Sequence, residues 1–251
     1  MPCFAYQGRS LYYDALGSGT PLLLLHGNTA SSRMFAGIAR EYAQTHRVIL
    51  LDFLGCGRSE RTPLLPEDLW FDEAMQAARL LDGLGLRKVN TIGTSGGALA
   101  AINLALERPD LVGKLIADSF EGERALPMVT EGLSAGREAS KHDPGARAFY
   151  EMMNGADWEQ AVDADTRAVL AHAAHIGAFF HKPLSALAPD VLLTGSREDE
   201  FCAGDFFDDL FTDMLQKIGH GKMCIFEHGG HPAMLSNQES FLSVSSGFFG
   251  R

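Results

Sequence analysis

The sequence is poor in positive charge and gathers none of it into a patch. Lys and Arg number 21 against 32 Asp and Glu, a net charge of −11 at pH 7. A nucleic-acid partner needs a basic footprint that displaces counterions from phosphates, and an anionic membrane surface asks for the same. Both are set aside, and solubility is the plain reading of the acidity. Cysteine is scarce as well. Cys3, Cys56, Cys202 and Cys224 show no C-x-x-C spacing, so neither a zinc finger nor a redox dithiol is indicated. Long apolar runs are missing: Leu22 to Leu25 falls far short of the ~20 residues that span a bilayer. The opening MPCFAYQGRSLYYD has neither the basic nor the apolar region of a secretory signal, so a cytoplasmic protein with reduced thiols is expected.

What is present is an ordinary globule. The 251 residues are 46% hydrophobic and 21% charged. A chain of this length buries roughly 70% of the surface its unfolded form exposes, enough for one large domain or for a core carrying an insertion. Phe4 to Tyr6 and Leu11 to Ala15 read as a hairpin around Gly8. The leucine run from Leu22 and the segment Arg47 to Leu51 read as strands buried on both faces. Ser31 and Ser32 are placed to cap a helix reaching about Ala43. Asp68 to Leu84 has helical period, with Ala74, Ala77, Ala78, Leu81 and Leu84 on one face and Gly85 as a stop. Strands follow at Lys88 to Ile92 and Leu111 to Ala117, with a small-residue helix between them. This alternation predicts a parallel sheet with helices on both faces.

The alternation lapses from Glu121 to Leu187, where no strand is evident. It resumes with a strand at Asp190 to Thr194, a helix around Phe207, Phe211, Met214 and Ile218, a last strand at Lys222 to Phe226 and a last helix from Met234 to about Phe249. The expected division is an α/β core of residues 1–120 and 188–251 with a helical cap of residues 121–187.

Gly93-Thr-Ser-Gly-Gly97 has the form G-x-S-x-G between a strand and a helix. A sharp turn there pushes the Ser95 hydroxyl clear of the sheet, at a helix N-terminus that favours developing negative charge. The plain alternative is a glycine-rich turn. A serine nucleophile needs a base, and of nine histidines His231 follows the last strand, where an open α/β sheet places its site. His228 shares that loop and competes. The base needs an orienting acid; Asp199 is favoured over Glu198, with Asp118 the remaining possibility. The order nucleophile, acid, histidine is the one this chemistry uses. Oxyanion donors are expected from the backbone N–H groups of Gly96 and Asn28. His26 reads as packing under its loop, and His172 and His175 as ordinary helix residues. Gly55-Cys-Gly57 lacks the third glycine of a dinucleotide fingerprint, and no G-xxxx-G-K-[ST] occurs, so no cofactor is expected.

With these residues assembled, the chain resembles the α/β-hydrolase fold superfamily, in its serine-nucleophile form with a cap insertion. The marks are His26-Gly27, Asp52-Phe-Leu-Gly-Cys-Gly-Arg-Ser59, Gly93 to Gly97, the strand ending near Asp199, and Gly230-His231. The resemblance implies an eight-stranded, mostly parallel sheet and a triad of Ser95, Asp199 and His231. Two departures stand out. The acid in such proteins usually lies three residues after the strand-end glycine, which here is Glu198. Gly96 stands where many members carry a larger side chain, which would loosen that wall of the pocket.

The expected activity is hydrolysis of a small or medium carboxylic ester through an acyl-enzyme, with a small-molecule substrate and water as the partners. Carbon–carbon bond hydrolysis, lactonase and aminopeptidase activities share this machinery, and a non-catalytic ligand-binding protein is the alternative of another class. The cap is expected to line the site with Met128, Met152, Met153 and aromatic side chains.

Overall fold

A computed structural model describes residues 2–250. Eight strands form one sheet: β1 (Cys3–Tyr6), β2 (Arg9–Leu16), β3 (Thr20–Leu25), β4 (His46–Leu51), β5 (Val89–Thr94), β6 (Val112–Asp118), β7 (Asp190–Ser196) and β8 (Lys222–Phe226). Their spatial order is β1-β2-β4-β3-β5-β6-β7-β8. The β1–β2 and β2–β4 pairs are antiparallel, and every later pair is parallel.

The leucine run shows why the sheet is covered on both sides. Successive strand residues point to opposite faces. Leu23 and Leu25 join Ile49, Leu51, Leu115, Val191 and Leu193 under α2 (Leu69–Gly83), α3 (Gly96–Glu107) and α8 (Phe206–Ile218). Leu22 and Leu24 join Val48, Leu50, Ile92 and Ile116 under α1 (Ile38–Ala43), α9 (Ala233–Ser236) and α10 (Gln238–Phe249). A run with no polar alternation is therefore split evenly between two cores.

Two helices differ from expectation. The helix foreseen after Ser31 is a single turn of 3₁₀ helix at Ser32–Phe35, followed by α1 after Gly37. Neither serine hydroxyl caps it. The Ser31 hydroxyl donates to Met153 O at 2.8 Å, and the Ser32 N–H donates to Asp52 Oδ1 at 2.8 Å. The last helix is broken at Asn237, whose side-chain amide donates to Ser196 Oγ at 3.0 Å and His228 O at 2.8 Å.

Between β6 and β7 the chain forms α4 (Pro127–Thr130), α5 (Leu133–Ser140), α6 (Pro144–Asn154) and α7 (Trp158–His175). An antiparallel bridge between Arg124 and Ala178 closes the base of this helical insertion. The cluster of Tyr150, Trp158 and Val162 packs α6 on α7. No helix among the described residues is long and apolar enough to cross a membrane.

Candidate active site

The site lies at the carboxyl ends of the central strands, where backbone strain is concentrated. Ser95, between β5 and α3, has φ +55° and ψ −128°. Thr29 and Ser119, just beyond β3 and β6, have φ +58° and +52°. Such conformations cost of order 1–3 kcal/mol each for non-glycine residues, and they persist only where surrounding structure imposes them. At Ser95 the imposing contacts are visible. Its N–H donates to Asp118 O at 2.8 Å, and β5 meets α3 so closely that a Cβ on Gly93 would lie 2.1 Å from Gly97 O.

His231 stands in the loop after β8, and its Nδ1–H donates to Asp199 Oδ2 at 2.8 Å. The Asp199 carboxylate is fully buried, and its Oδ1 accepts the Phe201 N–H at 2.9 Å. Phe201 meets the imidazole edge-on, ring centres 4.9 Å apart. The two competing acids are occupied elsewhere. Glu198 accepts from His228 Nδ1 at 3.1 Å and from the Gly229 N–H at 3.0 Å, and these contacts hold its carboxyl below the usual range. Asp118 accepts the Thr94 and Thr194 hydroxyls at 2.8 and 2.7 Å and the Met234 N–H at 3.0 Å, while burial raises its pKa. The loop thus carries two His–carboxylate pairs, Asp199–His231 facing inward and Glu198–His228 facing solvent.

Asn28 and Gly96 flank Ser95. Among the described residues neither backbone N–H has a hydrogen-bond partner. The Asn28 side chain is held at both ends. Its Nδ2 donates to Asp165 Oδ2 at 2.7 Å, and its Oδ1 accepts from Trp70 Nε1 at 3.3 Å. The expectation that Gly96 loosens the pocket wall is corrected here. A Cβ at that position would lie 2.1 Å from Asn28 Oδ1 and 2.8 Å from Trp70 Nε1. The space left by the missing side chain is filled by an amide and an indole.

Ser95, Gly96, Asn28, Asp199 and His231 all line one cavity of about 160 Å³. Its walls are mainly apolar, from Trp70, Leu99, Phe120 and Phe207 of the core and Val129, Leu133 and Val169 of the insertion. The methionines expected there are absent from the lining. Met128 and Met152 face solvent and Met153 is buried against Ser31, because the helices turn their valine and leucine faces inward instead. Two charged residues of the lining, Glu121 and Arg137, escaped the sequence reading, since neither belongs to a motif. Burial pushes the Glu121 carboxyl up to about 7, and burial, with the nearby Asp199 and Glu121 charges, pushes the Cys202 thiol up to about 12.

The other histidines weighed in the sequence lie away from Ser95 in packed or ion-paired positions. His26 is buried against Phe53; its Nδ1–H donates to Gly27 O at 2.9 Å and its Nε2 accepts the Phe53 N–H at 3.1 Å. His172 lies against Trp70 and Phe179, and His175 meets the Glu67 carboxylate at 3.1 Å. Among the described residues no cluster of three or more His, Cys, Asp or Glu is arranged to hold a metal.

A family model described as the alpha/beta hydrolase fold matches residues 20–144. The 2-hydroxymuconate semialdehyde hydrolase of Pseudomonas sp. (strain CF600) is 29% identical over 178 residues, which covers 69% of this chain but only 60% of that protein. The 2-hydroxy-6-oxononadienedioate/2-hydroxy-6-oxononatrienedioate hydrolase of Paraburkholderia xenovorans (strain LB400) is 27% identical, with 92% of this chain and 87% of that protein covered. Among solved structures, an esterase from Exiguobacterium antarcticum superposes with a TM-score of 0.77 at 20% identity, covering 97% of each chain.

Proposed function

This chain belongs to the α/β-hydrolase fold superfamily and is a hydrolase, and from that premise we propose that it cleaves a small or medium carboxylic ester through an acyl-enzyme on Ser95. The observation that carries this reading is the 2.8 Å Asp199–His231 hydrogen bond opening onto the cavity that holds Ser95. Ser95 Oγ attacks the ester carbonyl as the free Nε2 of His231 takes its proton. Asp199 accepts the Nδ1–H, fixing the tautomer and stabilising the imidazolium. The Gly96 and Asn28 N–H groups receive the oxyanion, each worth about 3 kcal/mol in such sites. His231 returns the proton to the departing alkoxide, and the alcohol leaves. Water then attacks the acyl-enzyme with His231 again as base; the acid departs and Ser95 is regenerated. These steps need only a small-molecule substrate and water. We read residues 121–187 as a cap over this site, and the four free thiols support a cytoplasmic location.

A second reading is favoured by one comparison. The relative matched over 92% of this chain is a hydrolase of a 2-hydroxy-6-oxo dienedioate, so carbon–carbon cleavage on the same residues is the alternative substrate chemistry. A fluorophosphonate probe is expected to label the wild type and to leave Ser95→Ala unlabelled; equal labelling of the two removes Ser95 as nucleophile. p-Nitrophenyl esters, assayed beside a 2-hydroxy-6-oxo-dienoic acid, separate the two readings. Preferential turnover of the dienoic acid by kcat/KM replaces the ester assignment with the second.

A further inference from the structure

The core alone does not hold the loop that carries Asn28. Thr29 has φ +58°, a conformation unfavourable for a β-branched residue, and both of its backbone polar groups are gripped by the insertion. Asp165 Oδ2, on α7, accepts the Thr29 N–H at 3.3 Å. Asn154 Nδ2, at the end of α6, donates to Thr29 O at 2.8 Å. The same Asp165 oxygen accepts Asn28 Nδ2 at 2.7 Å, while Oδ1 accepts Arg137 Nη1 at 3.0 Å. Asp165 is 3% exposed, so these are charge-assisted bonds in a site shielded from water, where such bonds are strong.

The consequence reaches the backbone. With Nδ2 tied to Asp165 and Oδ1 to Trp70, the Asn28 side chain has one position, and Gly96 is shaped to it. The peptide that carries the Asn28 N–H is held in its own loop by His26 Nδ1–H and the Ala30 N–H, which donate to Gly27 O at 2.9 and 3.3 Å, and the insertion adds its hold through Asp165 on the Asn28 side chain and the Thr29 N–H. We propose that Asp165 is a positioning residue that sets the oxyanion donors from the helical insertion, so that seating the insertion and completing the donor pair are one event. The ordinary alternative is a tertiary contact that merely fastens the insertion to the core. The two differ in what removal costs. A fastening contact affects stability and ground-state binding, whereas a positioning contact affects the transition state selectively.

This inference rests on the acyl-enzyme reading above. The test compares wild type, Asp165→Ala and Asp165→Asn in p-nitrophenyl ester hydrolysis and in affinity for a trifluoromethyl ketone and its methyl ketone counterpart. The first ketone binds as a tetrahedral oxyanion adduct of Ser95; the second occupies the same cavity without one. Asp165→Ala is expected to lower kcat about 100-fold with KM within threefold. Its trifluoromethyl ketone affinity should fall by a comparable factor while methyl ketone affinity holds. Asp165→Asn, which keeps an acceptor for Asn28, should lose three- to tenfold in the affinity ratio. If Asp165→Ala gives no cooperative thermal transition, Asp165→Asn decides alone, and an unchanged ratio overturns the inference. So does a parallel loss of affinity for both ketones. A wild type with neither ester turnover nor ketone adduct overturns the functional reading and this inference with it. A competent wild type matched by Asp165→Ala overturns this inference alone.

Discussion

Glu121 is an acidic side chain of the cavity that burial carries toward neutrality. Burial pushes its carboxyl up to about 7, against roughly 4.3 for a free glutamate. The folded state therefore holds a proton that the unfolded chain has already released. Glu121 costs nothing below the unfolded value, and stability falls as pH rises through about 7. The full shift would be worth about 4 kcal/mol, and contact with solvent at the cavity mouth trims it to about 2 kcal/mol. Glu121→Gln is expected to stabilise the protein by that amount at about pH 8 and by almost nothing at about pH 4, measured by urea unfolding at both. An equal effect at the two pH values would mean that the carboxyl is not perturbed in the fold. The sequence offered no route to this residue. It lies three positions past β6, in no motif, and the cavity it lines is assembled from α5, α7 and the loop of Cys202. The Asp199–Glu198 choice was closer to hand. Adjacent residues diverge in direction, so only the observed turn shows Asp199 facing His231 and Glu198 facing His228.

The helices of the insertion were legible as helices but not as walls. Strands β3 to β8 could be found because each is a short apolar run ended by glycine or a polar residue, and because their order follows from local alternation. Which face of α5 or α7 turns inward depends on packing against partners far along the chain. Trp70, for example, meets His172 and Phe179 edge to face, and Val169, on the same helix as His172, lines the cavity while Met152 does not. Gly96 carries the same lesson, since its need for a hydrogen in place of a side chain comes from Asn28 and Trp70. Leu133 of α5 and Val169 of α7 should accordingly govern acyl length. Leu133→Ala with Val169→Ala opens the apolar end, and each additional methylene accommodated is worth about 1 kcal/mol of discrimination. The ratio of kcat/KM for p-nitrophenyl hexanoate over acetate is expected to rise about tenfold or more. An unchanged ratio would place the acyl chain elsewhere.

Over the whole molecule, buried groups of two kinds set opposite limits on stability. Burial raises the carboxyl pKa values of Glu73, Asp118 and Glu121. Each such group stabilises least once pH has passed its folded value, so together they make stability fall on the alkaline side. Burial lowers the pKa values of His26 and His172. Each is kept neutral in the fold, so its contribution is present above about 6.5, the ordinary histidine value, and is lost as pH falls below it. The carboxylates with lowered values, Glu60, Asp82, Asp110 and Glu198, matter only below the ordinary carboxylate range and lie toward solvent, where pairing contributes little. The two buried sets therefore oppose each other below about pH 6.5, the ordinary histidine value, and above it only the carboxyls act, so stability falls from there toward the alkaline side. The net charge of −11 adds self-repulsion that grows with pH and that salt screens. Differential scanning fluorimetry should show Tm falling by about 5 °C or more from pH 6.5 to 8.5. Part of that loss should be recovered by about 0.3 M NaCl at the higher pH, with little salt effect at the lower. A Tm that rises steadily across this range would show that the buried carboxyls do not govern the alkaline limb.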